Sequence, residues 1–408
     1  ADITMEGKFP TERWFWFDPP FNPGFSALLH KQPDGVWRID LQLGRDIDKE
    51  KELDPKRIKK RLRAMLGPEV KFNLEWTSIY QFRCMRIDEM IHGRIIFAGD
   101  SAHLVSPFGA RGANSGIQDA ENLAWKLAYV LKGKASPTLL ATYHAERSPA
   151  TDENIYYSTN ATDFISPKSE MSLTFRNAVL HLAQDHTFAR ALVNSGRLSH
   201  PYRYIDSPLI IPDQQRWDSS LQPGWAVKDL TLFNQKQKTY LIDELGKDFS
   251  LIIFHQDGNE LSQLVTSLTL PPSPNVKIIP ICRQNPGQNM LEDREKMFRK
   301  RYAPQNGSWY LIRPDHHIAA RCKFFSPEQI YIALKQATGQ ESPSGEERDT
   351  SDLFTLYERD KHYKMLIQAH QGLSFEESSL LNARLVLLLM GQVKDSDMLA
   401  KFIDKAQN

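Results

Sequence analysis

The residues best placed to do chemistry lie in one stretch, 94–128, which reads RIIFAGDSAHLVSPFGARGANSGIQDAENLAWKLA. A short apolar strand runs into Gly99-Asp100, and ligands of α/β sheets bind beyond the carboxyl ends of such strands. A carboxylate at this point can accept hydrogen bonds from the hydroxyl groups of a sugar or polyol. The loop that follows contains Pro107, Gly112 and other glycines, which let a ligand approach the backbone closely.

The helix predicted after this loop, over 115–132, has the features of a helix start. Ser115 and Gln118 fit a capping box, and Asp119 and Glu121 fall in the first turn, where the helix dipole favours negative charge. The apolar stripe that we expect to be buried consists of Ile117, Ala120, Leu123, Ala124 and Leu127. Free N–H groups at the helix start point toward a ligand with partial or full negative charge.

A ligand for this stretch therefore needs a polyol and a group that becomes anionic. Reduced flavin has both, because its ribityl chain can meet Asp100 and its N1–C2=O edge carries the negative charge. An ordinary strand–loop–helix in which Asp100 only caps the helix explains the spacing equally well. Spacing alone leaves both interpretations open.

Three ungapped runs carry a resemblance to a known family. They are Gly99-Asp100-Ser101-Ala102-His103, the run from Pro107 to Gly116, and the run from Gln118 to Leu127. Together they resemble the second flavin motif of the class A flavoprotein monooxygenases, the aromatic-ring hydroxylases related to 4-hydroxybenzoate hydroxylase. Within that family the chain is most similar to the 3-(3-hydroxyphenyl)propionate hydroxylase group. The stretches FPTERWFWFDPPF and HKQPDGVWRIDLQLG also resemble the substrate-domain strands of that group.

The resemblance assigns roles to single residues of the motif. Asp100 would hold the ribityl hydroxyls, and the backbone N–H groups of Ala113 and Asn114 would bind the flavin N1/O2 edge. Pro107 would lie beside the reactive face of the isoalloxazine, near the substrate. The full FAD-binding set that the resemblance implies is Gly99, Asp100, Pro107, Gly112, Ala113 and Asn114.

The resemblance also implies a reaction. NAD(P)H reduces FAD, O2 adds at flavin C4a, and the resulting hydroperoxide transfers OH to a phenolic ring, while the protein supplies positioning and electrostatics. The expected function is therefore an FAD-dependent monooxygenase with a small aromatic, phenolic substrate. A flavin-dependent halogenase or epoxidase of the same fold is a less favoured alternative. No catalytic base is assigned from the sequence.

Two hallmarks of the family are absent from the sequence. No G-x-G-x-x-G occurs, and the glycines at 109, 112 and 116 have a different spacing. The middle Asp-Gly motif is also absent, and Ala1 aligns just beyond it. We therefore expect the C-terminal part of a longer hydroxylase, without most of the site for the AMP half of FAD. The competing hypothesis is a non-catalytic fragment or oligomerisation module in which the flavin motif is vestigial.

Two residues are candidates for contact with the substrate. Trp16 lies in an aromatic strand that could wall a pocket, although sheet packing explains it too. Arg38 could form a fork with a substrate carboxylate, but a solvent-facing strand residue fits equally well. His103 follows the Gly-Asp motif, where packing is favoured over a role as a base. His316-His317 lack a third ligand, so no metal site is predicted.

The pattern along the chain predicts a mixed α/β protein with five parts, and the resemblance implies the roles of the first two. They are an α+β substrate sheet, the C-terminal part of an FAD-binding domain with a helical bridge, a thioredoxin-like domain without redox cysteines, a linker, and a small helical domain. Their ranges are 1–92, 93–200, 203–340, 341–352 and 353–408. The thioredoxin-like part rests on the order β-α-β-α-β-β-α. Helices are predicted at 55–66, 115–132, 137–158 and 168–195.

Composition excludes several classes of protein. Hydrophobic residues make up 41% and charged residues 25% of the chain, as in globular proteins, and the net charge of +1 argues against nucleic acid or an anionic membrane as partner. No apolar run approaches the roughly 20 residues that span a bilayer. Cys84, Cys282 and Cys322 are far apart and are expected to be reduced thiols of a cytoplasmic protein. Assembly into a homo-oligomer is left open.

Overall fold

The structure is a computed structural model that describes most of the first 340 residues. Residues 7, 8, 10, 45, 188 and 191–198 are outside the description, and beyond 340 only residues 368, 369, 372–374, 377, 378 and 381 are included. The chain forms two compact units, one of residues 1–166 and 191–344 and one of residues 167–190 and 345–408. The predicted linker, 341–352, and the predicted helical part, 353–408, therefore lie outside the described residues except at those few positions.

The first sheet is antiparallel and lies near the start of the chain. Its strands follow the spatial order β2-β3-β4-β1-β5. The strands are β1 Asp2–Met5, β2 Trp14–Trp16, β3 Ala27–Lys31, β4 Val36–Leu41 and β5 Phe72–Trp76, and helices α1 Lys49–Glu52 and α2 Pro55–Leu66 follow β4. A Pro-Asp-Gly turn joins β3 to β4.

Helix α2 covers one face of this sheet. Asp54 caps its N-terminus by accepting a hydrogen bond from the Lys56 N–H at 3.0 Å, and Pro55 occupies the first turn. Ile58 and Leu62 are buried, and they pack in one cluster with Trp37 and Ile39 of β4. The predicted helix over 55–66 is confirmed.

Short strands and two long helices form the middle of the chain. The strands are β6 Met85–Arg86, β7 Ile91–His92, β8 Ile95–Ile96 and β9 His103–Leu104, paired antiparallel as β6-β9 and β7-β8. The helices are α3 Gly112–Leu131 and α4 Thr138–Ile165. Both agree with predicted helices in position, although α4 runs seven residues beyond its predicted end at 158. Among the described helices, none has the length and apolarity needed to cross a membrane.

The second sheet has seven strands in the order β11-β10-β14-β13-β12-β15-β16. The strands are β10 Thr231–Asn234, β11 Gln237–Tyr240, β12 Phe249–Asp257, β13 Val276–Gln284, β14 Leu291–Glu292, β15 Ser308–Ile312 and β16 Ile318–Cys322. Helix α5, Glu170–Asp185, precedes them; the helices among them are α6 Leu241–Glu244, α7 Gly258–Ser267, α8 Met297–Tyr302 and α9 Pro327–Ala337. Strand β12 runs parallel to β13 and antiparallel to β15.

The centre of the second sheet is buried on both faces. In β12, Leu251 and Ile253 face one apolar cluster and Ile252 and Phe254 face another. Apart from the short strand β14 between β13 and α8, the observed order from β12 to α9 agrees with the predicted order, and β15 and β16 pair as an antiparallel hairpin. Assignment of this part to the thioredoxin-like class stays a prediction.

Helix α5 is described separately because it belongs to the second unit. It begins after Ser169, whose hydroxyl accepts a hydrogen bond from the Ser172 N–H at 3.2 Å, and it ends at Asp185. A helix was expected over 168–195. His186 has extended backbone angles and interrupts the expected helix, residues 187, 189 and 190 are again helical, and the last part of the expected range, from 191, lies outside the described residues.

Truncation of a core side chain in β12 tests this architecture. We expect Leu251→Ala to lower the free energy of unfolding by about 2–5 kcal/mol, because it removes buried methyl groups and leaves a cavity. Leu131→Ala, at a residue that is 82% exposed, should change it by no more than about 0.5 kcal/mol. Urea unfolding followed by circular dichroism measures both, and equal effects would contradict the described core.

Candidate functional site

The Gly-Asp motif lies in a tight turn, Gly99–Ser101, shortly after β8. Gly99 has a φ of +57°, a conformation that favours glycine. A Cβ atom on Gly116 of α3 would lie only 3.4 Å from the Gly99 Cα atom. The Gly99 N–H also donates a hydrogen bond to Asp119 Oδ2 at 2.9 Å. The turn is therefore held directly against α3.

The carboxylate of Asp100 is exposed at this turn. The internal hydrogen bonds of the turn use Ser101 instead, whose hydroxyl donates to the Ala98 carbonyl at 2.8 Å and accepts from the Ala98 N–H at 3.2 Å. In the part of the chain that the structure describes, no hydrogen bond or ion pair engages the Asp100 side chain. Asp100 is thus available to a ligand.

The loop between β9 and α3 is stabilised by its own backbone. The Ala110 N–H donates to the Pro107 carbonyl at 3.1 Å, and Gly109 and Ala110 have φ angles of +92° and +53°. The Asn114 side-chain amide donates to the Ala110 carbonyl at 2.6 Å. The Pro107 ring is exposed, so it can contact a ligand on the loop.

Helix α3 begins at Gly112, three residues before its predicted start, without a side-chain cap. Within the first turn, the N–H groups of Gly112, Ala113 and Asn114 precede the first intrahelical hydrogen bond, which the Ser115 N–H makes to Arg111. Ala113 and Asn114 are exposed. The start of α3 therefore presents uncapped backbone donors, and the helix dipole adds partial positive charge there.

The predicted capping box is wrong. Ser115 is fully buried, and its hydroxyl accepts hydrogen bonds from Arg147 Nη2 at 3.2 Å and from the Asn154 amide at 3.4 Å. Its side chain therefore faces α4 and does not reach back to the helix start. The motif spacing was misleading because two residues of another helix compete for the same hydroxyl.

The predicted buried stripe of α3 is wrong at three of its five positions, whereas Leu123 and Leu127 are half-buried and Leu123 packs against an apolar cluster. Ile117 is 65% exposed, and Ala120 and Ala124 are exposed as well. The buried residues of α3 are Ser115, Asp119, Asn122, Trp125, Lys126 and Tyr129. The helix therefore turns a largely polar face inward, because α4 and the second sheet supply partners for these groups.

Asp119 is the centre of one buried cluster. Its carboxylate accepts hydrogen bonds from the Gly99 N–H and from Arg147 Nε at 2.6 Å, and it lies 2.6 Å from His103 Nε2. Burial favours the protonated form, but His103 and Arg147 outweigh it and hold the pKa of Asp119 below its ordinary value. Burial raises the pKa of Tyr204 to about 12, so its neutral hydroxyl accepts from Arg147 Nη1 at 3.0 Å.

Glu146 is the centre of a second buried cluster. Lys126 Nζ donates to Glu146 Oε2 at 2.7 Å, and Arg313 Nη2 donates to the same oxygen at 2.9 Å. Arg313 Nε also donates to Asp315 Oδ1 at 3.0 Å, in the turn between β15 and β16. Further donors to these two carboxylates are Asn122, Trp125 and Ser207. The four charged side chains are at most 2% exposed.

The charged groups of this second cluster shift one another's pKa values. Burial favours protonated Glu146, but Arg313 and Lys126 outweigh it and hold the pKa of Glu146 well below its ordinary value. Burial lowers the pKa of Lys126 to about 8, although Glu146 acts in the opposite direction. The cluster joins α3 and α4 to the second sheet through charges that have no access to water.

The two predicted substrate residues lie in the first sheet. Trp16 is half-buried, and its ring meets those of Phe21 and Trp14 edge-on at 5.6 and 5.7 Å. Arg38 donates from Nε and Nη2 to the two oxygens of Asp2, both at 2.8 Å. In the described part of the chain, neither residue has a hydrogen bond or ring contact with 99–114. The structure thus pairs Arg38 with a residue of the chain itself.

An aromatic row that the sequence reasoning missed reaches the loop between β9 and α3. Trp76 and Tyr80 lie with ring centroids 6.1 Å apart, and Tyr80 and Phe82 are stacked at 6.4 Å with an interplanar angle of 3°. Phe82 meets Phe108 edge-on at 6.0 Å, next to Pro107. Trp76, Tyr80 and Phe82 are 47%, 65% and 50% exposed. We name Trp76, Tyr80, Phe82 and Phe108 the aromatic row.

Comparison with known proteins agrees with the resemblance in the motif. Residues 16–157 match a family described as FAD binding domain. Tetracenomycin A2 monooxygenase-dioxygenase of Streptomyces glaucescens is 30% identical over 250 residues, which are 60% of this chain and 41% of that protein. A 3-(3-hydroxy-phenyl)propionate/3-hydroxycinnamic acid hydroxylase of Escherichia coli O157:H7 is 25% identical over 342 residues, 78% of this chain and 61% of that protein.

The chain is therefore similar, over part of its length, to an FAD-binding family, to a curated monooxygenase-dioxygenase and to a curated hydroxylase. It spans about half the length of the curated relatives that it matches. A solved structure of the flavin-dependent monooxygenase PieE, in complex with FAD and substrate, has the same fold, with a TM-score of 0.63 and 20% identity over 83% of this chain and 67% of that one. Residues 350–408 match a family of proteins of unknown function.

A spacing in the sequence could have revealed the buried clusters. Ser115, Asp119, Asn122 and Lys126 follow one another at intervals of four, three and four residues. These intervals place them on one face of a helix. A polar face of this kind is usually solvated, and only the tertiary partners on α4 and near β15 make it the buried one.

Removal of the Glu146 charge should destabilise the fold and change its response to acid. Glu146→Gln leaves Lys126 buried without its carboxylate and leaves Arg313 with Asp315 alone, which costs about 3–5 kcal/mol of the free energy of unfolding. Because the folded-state pKa of Glu146 lies below its unfolded value, its stabilising contribution is present above about pH 4.5 and is lost as the pH falls below that value.

The measurement is urea unfolding at several pH values between about 7 and 3. The variant should lose less additional stability across that range than the wild-type chain, because the amide that replaces the carboxylate does not titrate. Glu50→Gln, at an exposed position of α1, is the control and should leave both the stability and its pH dependence nearly unchanged. An equally steep pH dependence in Glu146→Gln would contradict the ionised state assigned to Glu146.

Proposed function

We propose that this chain binds FAD and acts in an FAD-dependent monooxygenase that hydroxylates a phenolic aromatic substrate with NAD(P)H and O2. The observation that carries the proposal is the uncapped start of α3 beside the exposed carboxylate of Asp100. The family match over 16–157 and the relatedness to aromatic hydroxylases support it. The free thiols Cys84, Cys282 and Cys322 favour a reducing, cytoplasmic compartment.

The residues around the turn fit the two ends of a flavin. Asp100 would accept hydrogen bonds from the ribityl hydroxyls, since no described residue competes for its oxygens. The backbone N–H groups of Ala113 and Asn114 would bind the N1/O2 edge, where negative charge develops on reduction. When bound, FAD supplies the oxygen-transfer chemistry. The chain itself contributes fixed donors, a fixed turn and the rigid Pro107 beside the loop.

The aromatic row supports an aromatic substrate. Its four rings run from β5 to the loop that carries Pro107, and three of them expose about half or more of their surface. A planar ring can stack on such a surface with offset or edge-to-face geometry. We therefore assign the aromatic row, in addition to Trp16, to the substrate side of the flavin. We do not propose that Arg38 binds a substrate carboxylate, because its guanidinium group already binds both oxygens of Asp2.

A colour test separates this proposal from a non-catalytic module. The purified chain is mixed with excess FAD, desalted, and its visible absorption spectrum is recorded. A retained flavin band supports the proposal, and NAD(P)H oxidation with a panel of phenols then tests the reaction. A colourless protein would favour the alternative of an oligomerisation module with a vestigial motif, at least for these 408 residues.

Substitution of Asp100 should weaken FAD binding specifically. Asp100→Ala removes a charged acceptor for the ribityl hydroxyls, and we expect the dissociation constant for FAD to rise about tenfold or more. The quenching of flavin fluorescence on binding measures it. Asp218→Ala, at an exposed position of the second half of the chain, is the matched control and should bind FAD like the wild type. Equal affinities for FAD in the wild type, Asp100→Ala and Asp218→Ala would exclude a role of Asp100 in FAD binding.

Substitution in the aromatic row should affect the substrate more than the cofactor. Tyr80→Ala removes a 65% exposed ring that is stacked on Phe82, so we expect several-fold weaker binding of phenolic ligands with little change in FAD affinity. Tyr331→Ala, at a 44% exposed tyrosine of α9, is the control. Ligand titrations of the FAD-loaded chain measure both. Unchanged affinity for every phenol tested would remove the aromatic row from the substrate site.

A further inference from the structure

A continuous chain of buried hydrogen bonds joins the Gly99 turn to the second sheet. The Gly99 N–H bonds to one oxygen of Asp119, and Arg147 Nε bonds to the other. Arg147 Nη1 then donates to the Tyr204 hydroxyl at 3.0 Å. Asp119 and Arg147 are fully buried and Tyr204 is 3% exposed, so water does not compete for these bonds.

Tyr204 is itself anchored to the second sheet. Its N–H donates to the Gly224 carbonyl at 2.8 Å, and the Gly224 N–H donates to Ile318 of β16 at 2.7 Å. Gly224 has a φ of +87°, and a Cβ atom there would lie 2.8 Å from the Tyr204 carbonyl carbon. The Tyr204 ring also packs on His317, with centroids 4.5 Å apart. The position of the hydroxyl is therefore set by the second sheet.

The arrangement leaves Arg147 little freedom. Its guanidinium group is planar, and each of its three nitrogens has an acceptor: Asp119 for Nε, Tyr204 for Nη1 and Ser115 for Nη2. A guanidinium held at three points fixes the carboxylate that it binds. The other oxygen of that carboxylate holds the Gly99 N–H, one residue before the predicted ribityl acceptor Asp100.

We propose that Asp119, Arg147 and Tyr204 are positioning residues for the flavin-binding turn, and that the second sheet sets the geometry of that turn through Tyr204. The proposal rests on the proposed function, because it gives the turn its ligand, FAD. A buried ion cluster with a purely structural role would stabilise the whole fold without acting on this turn. The two roles predict different effects of losing one hydrogen bond. A positioning role changes the Gly99 turn, whereas a purely structural role changes only the stability of the whole fold.

Tyr204→Phe is the decisive variant, because it removes one hydroxyl and leaves the ring in place. The matched control is Tyr302→Phe, which also removes a buried hydroxyl, one that donates to the Lys228 carbonyl at 2.9 Å. Two properties are measured in the full chain: hydrogen exchange of short peptides that cover the Gly99 turn, and the dissociation constant and visible spectrum of added FAD.

For Tyr204→Phe we expect about tenfold faster exchange at the Gly99 turn, several-fold weaker FAD binding and a shifted flavin spectrum. Tyr302→Phe should lose comparable global stability but leave the turn and FAD binding unchanged. Unaltered exchange at the turn in Tyr204→Phe, or equal effects of both variants, would overturn the proposal. If the wild-type chain binds no FAD, the proposed function fails, and exchange at the turn still decides whether Tyr204 positions it.

Asp119→Asn provides a second measurement if Tyr204→Phe folds poorly. The amide keeps the shape of the side chain but loses the charge that holds Arg147 and His103. It should give faster exchange at the Gly99 turn than the wild-type chain, because the acceptor of the Gly99 N–H is itself altered. Slower or unchanged exchange there would contradict the role assigned to Asp119.

Discussion

The structure around α3 depends on the pairing of charges that are buried between α3 and α4. A buried ion without a partner is too costly for a folded protein, so every such group must meet an opposite charge with good geometry. Glu146 and Arg147 are adjacent in α4, yet they serve different clusters. Glu146 binds Lys126 and Arg313, while Arg147 binds Asp119. One dipeptide thereby links the second sheet to the Gly99 turn.

This pairing determines which way α3 faces. An apolar stripe can slide or rotate over a core at small cost, whereas hydrogen-bonded ions accept only one register. Asp119 and Lys126 therefore set the rotation of the helix, and Ile117 remains outside. The same rotation draws Ser115 inward, away from the helix start. The open N–H groups of Ala113 and Asn114 are thus a consequence of the buried clusters.

The sequence predicted those parts of the fold in which apolar periodicity decides the structure. Helix α2 and the order of strands and helices from β12 to α9 were predicted because their patterns need no distant partner. The rotation of α3 could not be found, because Arg147 and Glu146, the partners of Asp119 and Lys126, lie 28 and 20 residues further along the chain, on another helix. The pairing of Arg38 with Asp2 was missed for the same reason, since strands β1 and β4 are adjacent only in the folded sheet. The Gly-Asp motif itself was recognised, because its chemistry is local to a few residues.

A flavin edge site needs donors that are fixed before the ligand arrives, because each donor that must be ordered on binding reduces the affinity. Backbone N–H groups at a helix start meet this need only if the helix cannot rotate. In this chain the rotation of α3 is held by Asp119 near its start and by Lys126 two turns later, and both are tied to groups outside the helix. Burying a polar face costs free energy, because its groups must be removed from water. The polar face in return gives the helix a rigidity that an apolar face lacks. The donors at the start of α3 are consequently preorganised by interactions that lie one to four turns away from them.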